Sequence, residues 1–97
     1  MKLVEEILKN IGQTYQLKMV DKGPAIYRKL DNGYEFEVDV ISKKKSTLYV
    51  WKEAPHVLVG IYENIPTDSL MDVLGYYAVK YQNLSDKIQV EREDQIE

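Results

Sequence analysis

His56 has the most versatile side chain in this 97-residue chain, and the sequence places little around it that could use it. A hydrolytic triad needs a nucleophile, a base and an orienting acid, and no serine here lies in a nucleophile-elbow motif. Beside Pro55, at the start of an apolar run, His56 reads as an exposed polar residue. There is no cysteine, which removes disulfides, thiolate metal ligands and cysteine nucleophiles together. Metal binding is then left to carboxylates. Glu35, Glu37 and Asp39 stand two residues apart on one strand, a row with ~6–7 Å intervals that is wide for one small ion. They read as a solvated strand face. Gly12, Gly23, Gly33, Gly60 and Gly75 are scattered and make no phosphate-binding loop. No pair of carboxylates stands out for acid–base work. The expectation is a non-enzymatic chain with no cofactor and no metal.

What the chain has in excess is tyrosine, eight against one phenylalanine. A tyrosine has an apolar ring and a polar tip, so it suits surfaces that are half buried or buried only in a complex. Tyr76 and Tyr77 are adjacent on a helix, ~100° apart, so with Tyr77 in the buried stripe Tyr76 is partly exposed. Tyr49, Trp51 and Tyr62 fall on the sheet face away from Val38 and Val40. Together with Glu37 and Asp39 they make a mixed acidic and aromatic surface, with Tyr76 as a further candidate. The first helix covers this surface as a second small core, or it is left open as an interaction face; the sequence allows both. A separate possibility uses sheet aromatics to stack single-stranded bases, with Lys43, Lys44, Lys45 and Lys52 on phosphates. The acidic row and the net charge of −3 count against it, and the three consecutive lysines read more simply as a solvated hairpin tip.

The elements that position these residues follow from periodicity. Leu3, Val4, Ile7, Leu8 and Ile11 form one face of a short helix over residues 2–11, closed by Gly12 in a left-handed cap. Residues 14–20 alternate as a half-buried strand, and 25–30 make a second, less regular one. Asp31-Asn32-Gly33 is a hairpin signal. A three-residue loop with Gly33 left-handed sets Ile26 opposite Val38 and Lys29 opposite Glu35, and is preferred because it keeps apolar partners on one face. In residues 34–40, Tyr34, Phe36, Val38 and Val40 face one way and Glu35, Glu37 and Asp39 the other. A hairpin symmetric about Lys44 would put Val40 opposite Leu48, Asp39 opposite Tyr49 and Glu37 opposite Trp51. Pro55 breaks the ladder before residues 57–62, which are apolar on both faces and so read as a covered or central strand. Gly60 marks a close approach by a helix or a large ring. Thr67 or Asp68 caps a second helix over residues 67–84, carried by Leu70, Val73, Leu74, Tyr77, Tyr81, Leu84 and Ile88, with Gly75 allowing close helix–sheet contact. Lys18, Lys22 and Lys29 would protect an outer strand, the first or the second, from pairing with another chain.

The predicted fold is therefore α+β: a five-stranded, mostly antiparallel meander flanked by a short N-terminal and a longer C-terminal helix, α-β-β-β-β-β-α. Residues 1–88 form one domain and 89–97 an acidic tail that frays. With 44% hydrophobic and 30% charged residues the composition is globular. The N-terminus has Glu5 and Glu6 inside its apolar pattern, which does not suit a secretory signal. No run reaches the ~20 apolar residues of a membrane span. These features lead to the expectation of a soluble, cytoplasmic protein, monomer or homodimer, that binds a protein partner through the acidic and aromatic surface. Inhibitors and phage or mobile-element antagonists belong to that class. The alternatives are a single-stranded nucleic-acid-binding module and a homodimeric structural domain.

Overall fold

A computed structural model describes the backbone of residues 2–12, 14–21, 23–53 and 56–96, and within these stretches the side chains of residues 3–83. The elements are α1 (Lys2–Ile11), β1 (Gln16–Val20), β2 (Gly23–Lys29), β3 (Tyr34–Val40), β4 (Ser46–Lys52), β5 (Val57–Ile65), a 3-10 turn (Thr67–Ser69) and α2 (Leu70–Ile96). The strands hydrogen-bond in sequence order as an open antiparallel meander, so the predicted α+β arrangement is the one adopted. No described helix is long and apolar enough to cross a membrane.

Alternation in β3 creates the two faces of the sheet. Phe36 and Val38 are fully buried on the inner face with Ile26, Leu48 and Val50. Helix α1 lays Val4 and Ile7 on this cluster, and α2 lays Leu70, Leu74, Ala78 and Tyr81 on it. Both helices thus share one face, and α1 does not cover the acidic and aromatic surface. An amphipathic helix fixes which of its own stripes is buried. The joint core with α2 selects the sheet face, because one apolar layer is removed from water more completely than two half-layers.

The β2–β3 loop has the predicted register: Ile26 is opposite Val38, Lys29 opposite Glu35, and Gly33 is left-handed at φ 93°. Asn32 in this loop donates to the Tyr81 carbonyl at 2.7 Å, tying the hairpin to α2. The β3–β4 register differs from expectation by two residues. Val38 is opposite Leu48, Glu37 opposite Tyr49 and Glu35 opposite Trp51. The cause is Ser42, whose hydroxyl accepts hydrogen bonds from the Lys44 and Lys45 amides at 3.1 and 3.2 Å. This serine turn centres the hairpin on Lys43 instead of Lys44, which keeps every face but moves every partner.

Strand β5 is an edge, contrary to the covered position expected from its apolar run. Register shifts between Ser46 and Leu48 and between Val50 and Trp51 mark two β-bulges in its pairing with β4. Bulges twist an edge away from strand pairing, so this edge is blunted by geometry, with the exposed Glu63 as its charged residue. β1, the other edge, carries Lys18 among its exposed residues; Lys22 lies outside the described residues, as does Pro55.

Gly60 meets the expected close approach. A Cβ there would lie 2.8 Å from the Tyr81 hydroxyl and 3.1 Å from the Tyr62 ring. Gly75 does not; it is exposed on the outer side of α2 with no atom within 4 Å of a would-be Cβ. Thr67 does not cap α2 either. Its buried hydroxyl donates to the Ser42 carbonyl and hydrogen-bonds Ser46 Oγ, both at 2.8 Å, so the chain enters through a 3-10 turn after Pro66. Helix α2 continues beyond the residue-84 end set by its apolar stripe; the side chains of Leu84, Ile88 and the 89–97 tail lie outside the described residues.

Candidate functional site

The helix-free face is built by the outward residues of all five strands. Glu37 and Tyr49 are direct cross-strand partners, as are Asp39 and Thr47. Trp51 is opposite Glu35 on one side and Leu58 on the other, and Tyr49 is opposite Ile61. The sheet's twist leaves a concavity of about 440 Å³ on this face. Asp21, Glu37, Asp39, Tyr49 and Trp51 line it, over a floor of Val20, Pro24 and Ala25. Among the described residues, no lysine or arginine is in that lining. Lys18, the nearest basic residue on β1, sits over the Tyr27 ring at 4.3 Å. The concavity thus presents three acids beside two aromatic rings, and its β5 flank adds half-exposed Leu58 and Ile61.

Of the six residues singled out from sequence, the structure brings four together here: Glu37, Asp39, Tyr49 and Trp51. Tyr62 is not among them. It is opposite Leu48 on the inner face, stacks on Tyr77 at 4.2 Å and hydrogen-bonds the Tyr81 hydroxyl. The β5 bulges explain the misplacement, since each inserted residue exchanges the faces of those that follow. Tyr76 is 64% exposed, as expected, but α2 lies on the other side of the sheet, so it does not extend this surface.

The four lysines do not make one patch. Lys43, Lys44 and Lys45 are exposed at the β3–β4 tip. Lys52 is at the far end of β4 on the inner face, donating to the Asn32 carbonyl at 2.9 Å and lying 4.8 Å from the Tyr34 ring centre. Lys52 therefore lies on the face opposite Tyr49 and Trp51.

A polar cluster adjoins the concavity, and sequence reasoning missed it. Glu35 is only 5% exposed and accepts a hydrogen bond from the Tyr27 hydroxyl at 2.8 Å. His56 lies flat on Trp51, ring centres 4.5 Å apart and planes 7° from parallel, and its Nδ1 donates to Glu53 Oε2 at 2.8 Å. The carboxyl of Glu53 is held below its ordinary value by His56 first and by hydrogen bonding with Glu35 second. Burial first, then Glu35, pushes the Tyr27 phenol up to about 12. One ligand atom from each of Glu35, Glu53 and His56 lies within 4.8 Å of the others. The available sequence signal was Glu53 and His56 three residues apart across a turn; Glu35 joins them only through the β3–β4 register. Trp51 Nε1 is buried with no partner among the described residues.

Comparison with known protein families, with characterised proteins and with solved structures found no match to this chain.

Proposed function

We propose that this chain is a non-enzymatic interaction or regulatory domain that binds a basic partner protein through the helix-free face of its sheet. The reading rests on one observation: three carboxylates and two large aromatic rings share a concavity with no basic residue in its lining among the described residues. Aromatic rings give contact area at low entropic cost, and fixed carboxylates favour and steer cationic side chains. The half-exposed Leu58 and Ile61 add apolar area at the rim. On this reading the domain acts by occupying a basic site on its target, as an inhibitor or a phage or mobile-element antagonist would. The net charge of −3 suits such a partner.

The experiment is affinity capture from an extract of the organism that makes the protein, run in parallel with Trp51→Ala and Tyr76→Ala. A basic protein held by the native chain and by Tyr76→Ala, but lost with Trp51→Ala, supports the proposal. Equal retention by all three baits removes this face as the binding site.

A further inference from the structure

We propose that Glu35, Glu53 and His56 form a binding site for a divalent transition-metal ion of the zinc type. The inference does not depend on the partner-binding reading and uses a different part of the face. Three observations carry it. The first is geometric: the ligand atoms of the three side chains lie within 4.8 Å of one another, and His56 Nδ1 is already 2.8 Å from Glu53 Oε2. Ligands held ~2.0–2.2 Å from a tetrahedral ion are ~3.3–3.6 Å apart, so small side-chain rotations complete the set.

The second is electrostatic. Glu35 is 95% buried, and no lysine or arginine forms an ion pair with it among the described residues. Its one neutral partner is the Tyr27 hydroxyl. A carboxylate oxygen of Glu53 lies within 4.8 Å of one of Glu35. Two ionised carboxylates this close, one of them buried, repel, and a cation between them relieves the repulsion. A divalent ion supplies that charge and satisfies His56 as well.

The third is the support around the ligands. The Tyr27 hydroxyl orients Glu35, and the Trp51 ring holds the imidazole plane, as outer partners do at metal centres. On binding at Nδ1, the ion replaces the His56–Glu53 hydrogen bond: in a neutral ring the Nδ1 proton shifts to Nε2, and in an imidazolium, which already carries Nε2–H, the Nδ1 proton leaves to solvent.

The donor set selects the ion. One imidazole nitrogen with two carboxylate oxygens suits zinc and its neighbours, and water completes the coordination. Calcium and magnesium prefer all-oxygen sites with more ligands, so they are poor occupants.

The test is a zinc titration of the full chain, followed by calorimetry and by the emission of Trp51, the only tryptophan. The expected result is saturable 1:1 binding with a change in Trp51 emission, and no comparable response to calcium or magnesium. His56→Ala, on an exposed turn, and Glu35→Gln, which keeps the shape of the buried group, should each weaken zinc binding ~100-fold or more, since losing an outer partner alone costs ~10–100-fold. Circular dichroism confirms that each variant is folded. Absence of zinc binding overturns the proposal. So does zinc binding that both variants retain, or calcium binding of equal strength.

Discussion

The imidazole of His56 lies on the indole of Trp51, ring centres 4.5 Å apart and 7° from parallel, and so closes one end of the helix-free face. Trp51 also lines the concavity, so one residue reports on both the polar cluster and the proposed partner surface.

Removing the histidine ring should expose the indole without disturbing the core. His56→Ala is expected to shift Trp51 emission to longer wavelength and to lower stability by ~0.5–1.5 kcal/mol, the usual worth of such a stacked pair. Fluorescence spectra and urea denaturation check both. An unchanged spectrum would mean that the rings do not stack in solution.

On the other face, Gly60 is held small by two tyrosines. An added methyl at Gly60 would meet the Tyr81 hydroxyl at 2.8 Å, and Tyr81 is buried against Tyr34 and Phe36, so it has little room to yield. Gly60→Ala should cost ~1–3 kcal/mol, as overpacking does. Tyr81→Phe removes the obstructing oxygen, so the double variant should lose less than the sum of the two single losses. Additive losses in denaturant unfolding would place the strain elsewhere.

The same tyrosine predicts a response to alkali. Burial first, and its hydrogen bond with Tyr62 second, raise the Tyr81 phenol above its ordinary value. Above the ordinary tyrosine value of ~10 the unfolded chain has lost its proton while the folded chain keeps it. The folded state then binds more protons than the unfolded one, so stability falls as pH rises. Tyr27, pushed up to about 12, acts in the same direction. Stability should be level with respect to these groups below pH ~10 and decline above it. In Tyr81→Phe the decline should be smaller. Urea midpoints measured across this range test it, and a decline equally steep in the variant would contradict the assignment.

Much of the fold was legible because β3 alternates without a fault, and Asp31-Asn32-Gly33 permits one loop that keeps Ile26 beside Val38. That alternation also placed Glu37 and Asp39 on one face with Tyr49 and Trp51. What was not legible came from choices that local pattern does not encode. The apolar stripe of α1 does not say which sheet face it joins. The apolar run of β5 resembles a covered strand, but its bulges leave it at an edge and turn Tyr62 inward. Ser42 moved the β3–β4 register by capturing two amides, a side-chain effect invisible to hydrophobic pattern. Glu35, Glu53 and His56 meet only once that register is set, which is why His56 looked solitary.

The central claim is that Glu37 and Asp39, beside Tyr49 and Trp51, hold a basic partner. The most direct measurement is the dissociation constant of the captured partner for the native chain, for Glu37→Lys/Asp39→Lys, and for Lys43→Ala/Lys44→Ala/Lys45→Ala. Reversing two charges should weaken binding by ~30-fold or more, mostly at low salt, because unlike pairs become like pairs. Neutralising the lysines of the neighbouring hairpin tip, which are not in the concavity's lining, should leave binding equal or tighter, because it removes charge that repels a basic partner. Binding unaffected by the charge reversal, or lost with the lysines instead, would contradict the account.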